Sequence, residues 1–189
     1  MRPCPTVVVA NDSAGPLIRP ARPADVPAIA AVQRASILGL CVGAYGREGA
    51  AAWADASAEH APTMLDGGTF LVAEEAGGAV VAVAGWSPHE ERPHGAWIRS
   101  LFVHPERAGR GLGRRLMAVV EESARASGRT AFAVRASLNA VGFYKAVGYS
   151  EVERQIWSDR HGGEFTAVLM VKPTPPHGDR GSTPGPGGG

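Results

Sequence analysis

A run of glycines and arginines, ERAGRGLGRRLM from Glu106 to Met117, is the stretch of this chain whose residue types point most directly to chemistry. Gly109, Gly111 and Gly113 alternate with larger residues, and a helical apolar pattern begins directly afterwards. The pattern predicts a helix that starts where side chains have been cleared away. Because the first turn of a helix offers unpaired N–H groups and the positive end of its dipole, the run indicates a phosphate-binding loop.

Spacing distinguishes this loop from two better-known phosphate motifs. A P-loop needs Gly-Lys-Ser/Thr, which is absent here. A GxGxxG motif counted from Gly109 would need a glycine where Arg114 stands, and the dinucleotide fold expects an acidic residue about 20 residues on, where AVRAS has none. A simple strand-to-helix turn would need only one glycine, so three alternating glycines favour a ligand site.

Apolar patterns predict a mixed α/β order of elements around the loop. The predicted elements are a strand in LIRP, a helix with Asp25 as N-cap and Pro27 in its first turn, short helices and loops from Leu38 to Leu65, a hairpin turning at Gly77-Gly78, a strand in AWIRSLFV, a helix closed by Gly128, a strand in TAFAVRA, a helix at Ala140 to Ala146, and strands in SEVERQIW and EFTAVLMVK joined across SDRHGG.

The helix after the glycines has one clearly apolar side. Its predicted sheet-facing residues are Leu112, Leu116, Val119, Val120 and Ser123, while Arg114, Arg115, Glu121 and Glu122 are predicted to lie mainly on another side. One side of this helix should therefore pack on the sheet.

The motifs, taken in order, resemble the GNAT superfamily of acyl-CoA-dependent N-acetyltransferases. LFVHPERAGRGLG is similar to the family's strand ending in V-x-P and its Q/R-x-x-G-x-G/A loop, which holds the pyrophosphate of coenzyme A, and ASLNAVGFYKAVGY resembles its A-S/x-x-N…F/Y-Y…G-F/Y phrase. IRPARPADVPAI and VLMVK resemble the two ends of the family. The resemblance covers most of the chain and implies an α/β fold, with a single mixed central β-sheet flanked by helices on both faces.

The resemblance also implies acetyl-CoA as cosubstrate. The residues implied to bind it are Leu101, Phe102, Val103, Arg107, Gly109, Arg110, Gly111, Leu112, Gly113, Arg114, Asn139 and Tyr144. Leu101 and Val103 would pair their main-chain groups with the pantetheine arm as if it were an added strand, between two splayed parallel strands. Asn139 is read either as a helix N-cap or as a hydrogen-bonding partner of pantetheine.

The loop departs from the family pattern at one position. Ala108 stands where Gln or Arg is usual. Backbone N–H groups are therefore expected to hold the phosphates, with Arg107 or Arg110 adding a partly solvated charge nearby.

Acyl transfer to an amine requires the amine to lose a proton and the departing thiolate to gain one, since a free alkyl amine has a pKa of about 10.4 and a free thiol a pKa of about 8.5. The resemblance implies that Tyr144 donates the proton that the thiolate gains. The strand WIRSLFV contains no acidic residue, so the base is either a water chain or a side chain of the neighbouring turns. The candidates are Glu74, Glu75, His89, Glu90, Glu91 and His94. HEERPH is only a weak metal-binding pattern, so no metal is expected.

Substrate choice is expected to come from the irregular region before the hairpin, where Tyr45 and Trp53 either line an acceptor pocket or fill core. The leading hypothesis is an N-acetyltransferase that acts on a primary amine. The rival hypothesis is a non-catalytic acyl-CoA-binding sensor on the same fold. The absence of an acidic residue from the strand WIRSLFV leaves this alternative open, and turnover with any amine would exclude it.

Composition limits the remaining possibilities. A length of 189 residues predicts one domain, at 16–173, between an unstructured extension (1–15) and a Pro/Gly-rich tail (174–189). The net charge of +1 argues against binding to nucleic acid or to an anionic membrane. Cys4 and Cys41 form neither a disulfide framework nor a zinc pair. The absence of a signal peptide or membrane span predicts a cytoplasmic protein. A homodimer is a further prediction.

Overall fold

The computed structural model describes residues 15–67, 69–158 and 164–173. Within them one seven-stranded sheet has the order β1-β2-β3-β4-β5-β7-β6. The strands are β1 (Leu17–Pro20), β2 (Phe70–Glu74), β3 (Val80–Pro88), β4 (Gly95–Val103), β5 (Ala131–Ser137), β6 (Ser150–Ser158) and β7 (Glu164–Pro173). Only β4 and β5 pair in parallel, so the sheet is mixed.

Helices cover both faces of this sheet. The helices are α1 (Val26–Leu40), α2 (Val42–His60), α3 (Leu112–Ala126) and α4 (Val141–Ala146). Alternation along β2 shows the two layers: Leu71 packs in the core beneath α3 and α4, whereas Val72 packs beneath α1. The predicted fold class is therefore confirmed.

Several local predictions are confirmed by the backbone. The β2–β3 hairpin turns with Gly78 at φ 84°, and α3 is followed by Gly128 at φ 79°. The five residues that were predicted to face the sheet from α3 are all buried. The predicted extension apart from Gly15, the tail at 174–189 and the turn at 159–163 lie outside the described residues. No helix in the described part of the chain is long and apolar enough to cross a membrane.

The region from Leu38 to Leu65 is more regular than its glycines suggest. α1 continues through Gly39, but the range of α2 consists of two helices that meet at a kink at Gly46 (φ 73°), so the prediction of shorter helices is correct at that point. A Cβ at Gly39 would lie 2.6 Å from Cγ of Pro105, so this glycine permits close packing rather than ending the helix.

Asp25 is the N-cap residue of α1, as predicted. Its carboxylate makes no capping bond to that helix, however, and instead pairs with Arg19 (2.7 Å) and accepts the Arg22 N–H. Glu121, which the helical pattern places mainly on a different side from the apolar residues, is nevertheless 3% exposed. It accepts hydrogen bonds or ion pairs from Arg125, Tyr149 and Lys172, which makes burial of this carboxylate tolerable.

The two parallel strands part soon after they meet. Three rungs join them, Gly95↔Ala131, Ala96↔Phe132 and Trp97↔Ala133, and residues 98–103 of β4 have no partner on β5. β4 nevertheless stays paired with β3, through a bulge at which Gly85 faces Arg99 and Val83 faces Phe102. The sheet is therefore open along its centre, as the resemblance implies.

Ser100 lies at this bulge with φ 55°, and it is the single non-glycine residue with positive φ among those described. A left-handed backbone is strained for residues with a Cβ and most strained for β-branched ones. We expect Ser100→Val to lower the free energy of unfolding by about 1–2 kcal/mol, and Ser100→Gly to leave it within about 0.5 kcal/mol of wild type. Urea unfolding measures both. Equal stabilities of the two variants would show that the bulge is not strained.

Candidate functional site

A cavity of about 760 Å³ lies where β4 leaves β5. Leu101 and Tyr144 border it from the α3 and α4 side of the sheet, and Trp53 and Phe102 from the α2 side. The opening in the sheet thus joins its two faces. A ligand in this cavity could contact side chains from both layers and the unpaired main chain of β4.

Tyr144 projects from α4 into this cavity. It is 5% exposed, and its ring packs edge-on against Tyr149 with centroids 5.5 Å apart. Burial alone raises the pKa of its phenol well above the ordinary value. Its hydroxyl therefore stays protonated throughout the neutral range.

The glycine loop leads directly into α3. Gly109 and Gly111 have φ values of 73° and 81°, and a Cβ built on either would meet nothing within 4 Å. Gly111 is the N-cap, so the N–H groups of Leu112 and Gly113 begin the first turn beside this cleared space. The backbone geometry is that of an anion-binding loop.

A second cavity, of about 370 Å³, adjoins the loop and is lined by arginines. Arg107 is tied to Glu75, with its Nε 2.6 Å from Oε1 and its Nη2 3.2 Å from Oε2, and its guanidinium holds the pKa of that carboxyl below the usual range. Arg110 is exposed at the cavity, whereas Arg114 is exposed but does not line it. The charge of Arg107 is thus already balanced by protein.

Arg115, in the first turn of α3, is a residue that the sequence pattern did not connect with the glycine loop. The pattern places it mainly on a different side of the helix from the apolar residues, yet it lines the second cavity, and its Nη2 is buried with no hydrogen-bond partner among the described residues. A buried, unpaired guanidinium N–H is costly without a partner. The available signal was its position one helical turn after Gly111.

Asn139 does not cap α4. The N-cap is Ala140, and Asn139 lies exposed in the preceding 3-10 turn, Leu138–Ala140. Burial raises the pKa of the Cys41 thiol, and a side-chain hydrogen bond from Asn139 partly opposes that rise. The N-cap interpretation is therefore wrong, and the pantetheine contact stays a prediction.

Aromatic side chains form the α2 side of the cavity. The ring of Trp53 lies 5.5 Å from Tyr45, 6.1 Å from Phe102 and 5.9 Å from Phe165, between centroids. Tyr45 and Trp53 both line the cavity as well as packing on α1 and α2. The two sequence interpretations, pocket wall and core, thus describe the same residues.

Tyr45 also connects distant parts of the chain. Its hydroxyl donates to the carbonyl oxygen of Thr166 and accepts the N–H of Leu138, both at 2.8 Å. These bonds link α2 to β7 and to the turn after β5. The hydroxyl therefore holds α2, β7 and the turn after β5 together at the cavity.

The candidate bases differ in their surroundings. Glu74 and Glu75 are held by Arg19 and Arg107. By contrast, three of the candidates line the cavity, namely His89, Glu90 and Glu91, and His94 does not. The carboxylate of Glu90 accepts its own backbone N–H and the Trp97 indole N–H (3.2 Å), which keep its pKa below the usual range.

His60 lines the same cavity and was not singled out from the sequence. Its Nδ1 lies 2.9 Å from the carbonyl oxygen of Ala56. Because a carbonyl oxygen can only accept, the proton of the neutral ring is on Nδ1 and Nε2 is the basic nitrogen. Its place in an Ala-rich helix gave no sequence signal. In the part of the chain that the structure describes, no three His, Cys, Asp or Glu residues cluster as metal ligands would.

Comparison with known proteins gives a consistent result. Residues 41–166 match the family model described as an acetyltransferase (GNAT) domain. By sequence, no curated protein matches the chain. Among solved structures, a GCN5-related N-acetyltransferase from Rhodopseudomonas palustris, which also carries the label class-II aminotransferase, is 30% identical over 87% of this chain and 99% of its own, with a TM-score of 0.74.

Two more distant structures share the fold. The PaiA N-acetyltransferase of Thermoplasma acidophilum, solved with coenzyme A, is 18% identical over 82% of this chain and 97% of its own, with a TM-score of 0.65. The yncA structure from Salmonella typhimurium, which contains acetyl-CoA, is 21% identical over 90% of this chain and all of its own, with a TM-score of 0.60.

The hydrogen bonds of the Tyr45 hydroxyl can be removed without removing its ring. We expect Tyr45→Phe to lower the free energy of unfolding by about 1–2 kcal/mol, because the Leu138 N–H and the Thr166 carbonyl each lose a partner. Urea unfolding measures the change. Tyr149→Phe, which loses a hydrogen bond to Glu121 instead, gives the free-energy change for another buried tyrosine hydroxyl for comparison. An unchanged stability of Tyr45→Phe would mean that water replaces the two hydrogen bonds of the Tyr45 hydroxyl.

Proposed function

The chain belongs to the GNAT acetyltransferase family, and from this premise we propose that it transfers the acetyl group of acetyl-CoA to a primary amine by direct attack on the thioester. One observation carries the proposal: the unpaired segment of β4 lies between the cleared glycine loop and a cavity large enough for an acceptor. A cytoplasmic location and a homodimer remain predictions.

The residues present fit acetyl-CoA. Gly109 and Gly111 leave open space where any other residue would place a Cβ, and Arg110 and Arg115 line the adjoining cavity with positive charge. We assign the phosphates to this loop, with Arg110 and Arg115 supplying charge. The main-chain groups of Leu101 and Val103 would hold the pantetheine arm, because β5 does not pair with them.

Tyr144 is proposed to hold the proton that the sulfur needs. Bound acetyl-CoA supplies a thioester carbonyl for attack and a thiol leaving group. Burial keeps the Tyr144 phenol protonated and also disfavours a charged thiolate in the same cavity, so the proton can move from the hydroxyl as the sulfur departs. The phenolate then regains a proton from solvent as the products leave. The amine proton leaves in the other direction, through water held among the cavity's polar groups His60, Glu90 and Glu91.

These polar groups weaken the case for a non-catalytic sensor. The sensor hypothesis rested on the absence of an acidic residue from β4, but tertiary structure brings carboxylates and an imidazole to the cavity from other elements. Detection of thiol release with an amine panel remains the direct test between the two.

The phosphate loop is tested by Gly111→Asp. We expect coenzyme A affinity to fall at least about tenfold, because the new carboxylate fills the cleared space and repels the pyrophosphate. Calorimetry measures this. Gly128→Asp is the matched control, since it has the same left-handed backbone and open surroundings at the other end of α3 and should bind coenzyme A normally. If folded Gly111→Asp binds as tightly as wild type, the phosphates lie elsewhere.

The acid role is tested by Tyr144→Phe, which keeps the ring and removes only the hydroxyl. We expect kcat to fall by about 10²–10⁴-fold with little change in coenzyme A affinity. Tyr149→Phe, in the same core but outside the cavity lining, should keep its kcat. Full kcat of Tyr144→Phe, with an amine for which chemistry limits the rate, would assign the proton to another group; a collapse of affinity would make Tyr144 a binding residue.

A further inference from the structure

Two arginines face each other across the opening in the sheet. Trp97 and Ala133 form the last rung between β4 and β5, so Arg99 and Arg135 are each two residues beyond it, on the same face as Trp97. Both line the large cavity. They are placed at the point where the acyl donor's main-chain partners begin.

The arginine on β5 is oriented by an aromatic ring. The guanidinium carbon of Arg135 lies 4.3 Å from the centroid of Trp97, and the His89 ring also stacks on this indole at 4.7 Å. The Trp97 indole N–H is itself fixed by Glu90. A guanidinium stacked in this way keeps its N–H groups available at little cost in side-chain entropy.

Neither guanidinium forms a close ion pair in the described part of the chain, although Arg99 is near enough to Glu90 to help keep the pKa of that carboxyl below its usual range. Within the described ranges, neither Arg99 nor Arg135 has a carboxylate oxygen within 4.0 Å, although Glu90 and Glu91 line the same cavity. The phosphate loop is no competing explanation for them, because its arginines line a separate cavity. Both side chains are exposed, so water solvates them in the free protein. Their convergence on the same cavity from two strands, with Arg135 held by the Trp97 ring, favours an anionic ligand there.

We propose that Arg99 and Arg135 bind a carboxylate of the acceptor, and that the acceptor is an amino acid whose amine lies within a few bonds of that carboxylate. The short separation follows because Arg99 is next to Ser100 and Leu101, where the thioester arm would lie. The aromatic wall at Trp53, Phe102 and Phe165 suits an apolar side chain. This inference rests on the proposed N-acetyltransferase activity.

The geometry disfavours two other acceptor classes. A polyamine would bring more positive charge towards two guanidinium groups. A peptide N-terminus has an amide where the amino acid has a carboxylate, so it would leave both arginines unpaired. These classes are outcomes of the test rather than part of the proposal.

The first experiment compares leucine and phenylalanine with leucinamide, phenylalaninamide, spermidine and a leucine-initiated peptide, by thiol release from acetyl-CoA. We expect kcat/KM for the free amino acids to exceed that for the amides by about 10–100-fold, the usual contribution of charge-assisted hydrogen bonds. The comparison is stringent, because the carboxylate raises the pKa of its neighbouring amine and so reduces the fraction of neutral nucleophile.

The second experiment removes each charge. Arg99→Gln and Arg135→Gln should raise KM for leucine by about 10–100-fold and leave KM for leucinamide nearly unchanged. Arg47→Gln, an exposed arginine of α2 outside the cavity lining, is the control and should change neither. Melting temperatures establish that each variant is folded.

A binding measurement needs no turnover. Calorimetry on the coenzyme A-bound enzyme should show N-acetylleucine binding at least about tenfold more tightly than N-acetylleucinamide, with the difference lost in the two arginine variants. Equal use of acids and amides, or equal effects of the variants on both, would overturn the carboxylate site while leaving the N-acetyltransferase intact. Failure of every amine to be acetylated would instead refute the proposed function, and the calorimetry would still decide whether the anion site exists.

Discussion

The parting of β4 from β5 is the constraint on which the rest of this structure depends. After three parallel rungs, residues 98–103 of β4 lose their partner on one side, although the bulge at Ser100 preserves pairing with β3 on the other. Unpaired main-chain groups inside a sheet must find another partner, either water or a ligand. The fold therefore contains a ready position for an extended ligand before any side chain is considered.

The same opening makes one site out of two separate layers. Strand alternation directs Leu101 towards α3 and α4 and Phe102 towards α2, so the gap between the strands is bordered by Tyr144 on one face and by the aromatic wall on the other. An acyl donor and an acceptor can approach the gap from different sides. Tyr144, the proposed proton donor, and the proposed carboxylate site then lie on opposite faces of the sheet at this gap.

Long-range polar contacts hold the walls of this opening. The Tyr45 hydroxyl joins α2 to β7 and to the turn after β5, and the Arg107–Glu75 pair joins the phosphate loop to the β2–β3 turn. Such contacts fix the site without a ligand, which lowers the cost of ordering it on binding. Gly39, which lets α1 approach Pro105, serves the same purpose from the other layer.

The sequence alone determined the features that depend on neighbouring residues. Apolar periodicity, the Gly78 and Gly128 turns and the cleared loop at Gly109 and Gly111 were all predictable, because helix faces, positive φ and helix starts are set within a few positions of the chain. Tertiary structure decided the rest. Glu121 is buried where Lys172 reaches it, Arg115 lines the cavity beside the glycine loop, and His60, Arg99 and Arg135 line the same large cavity. Their partners lie tens of residues away, and only the packing of α2, β4, β5 and β7 around the opening brings those charges together.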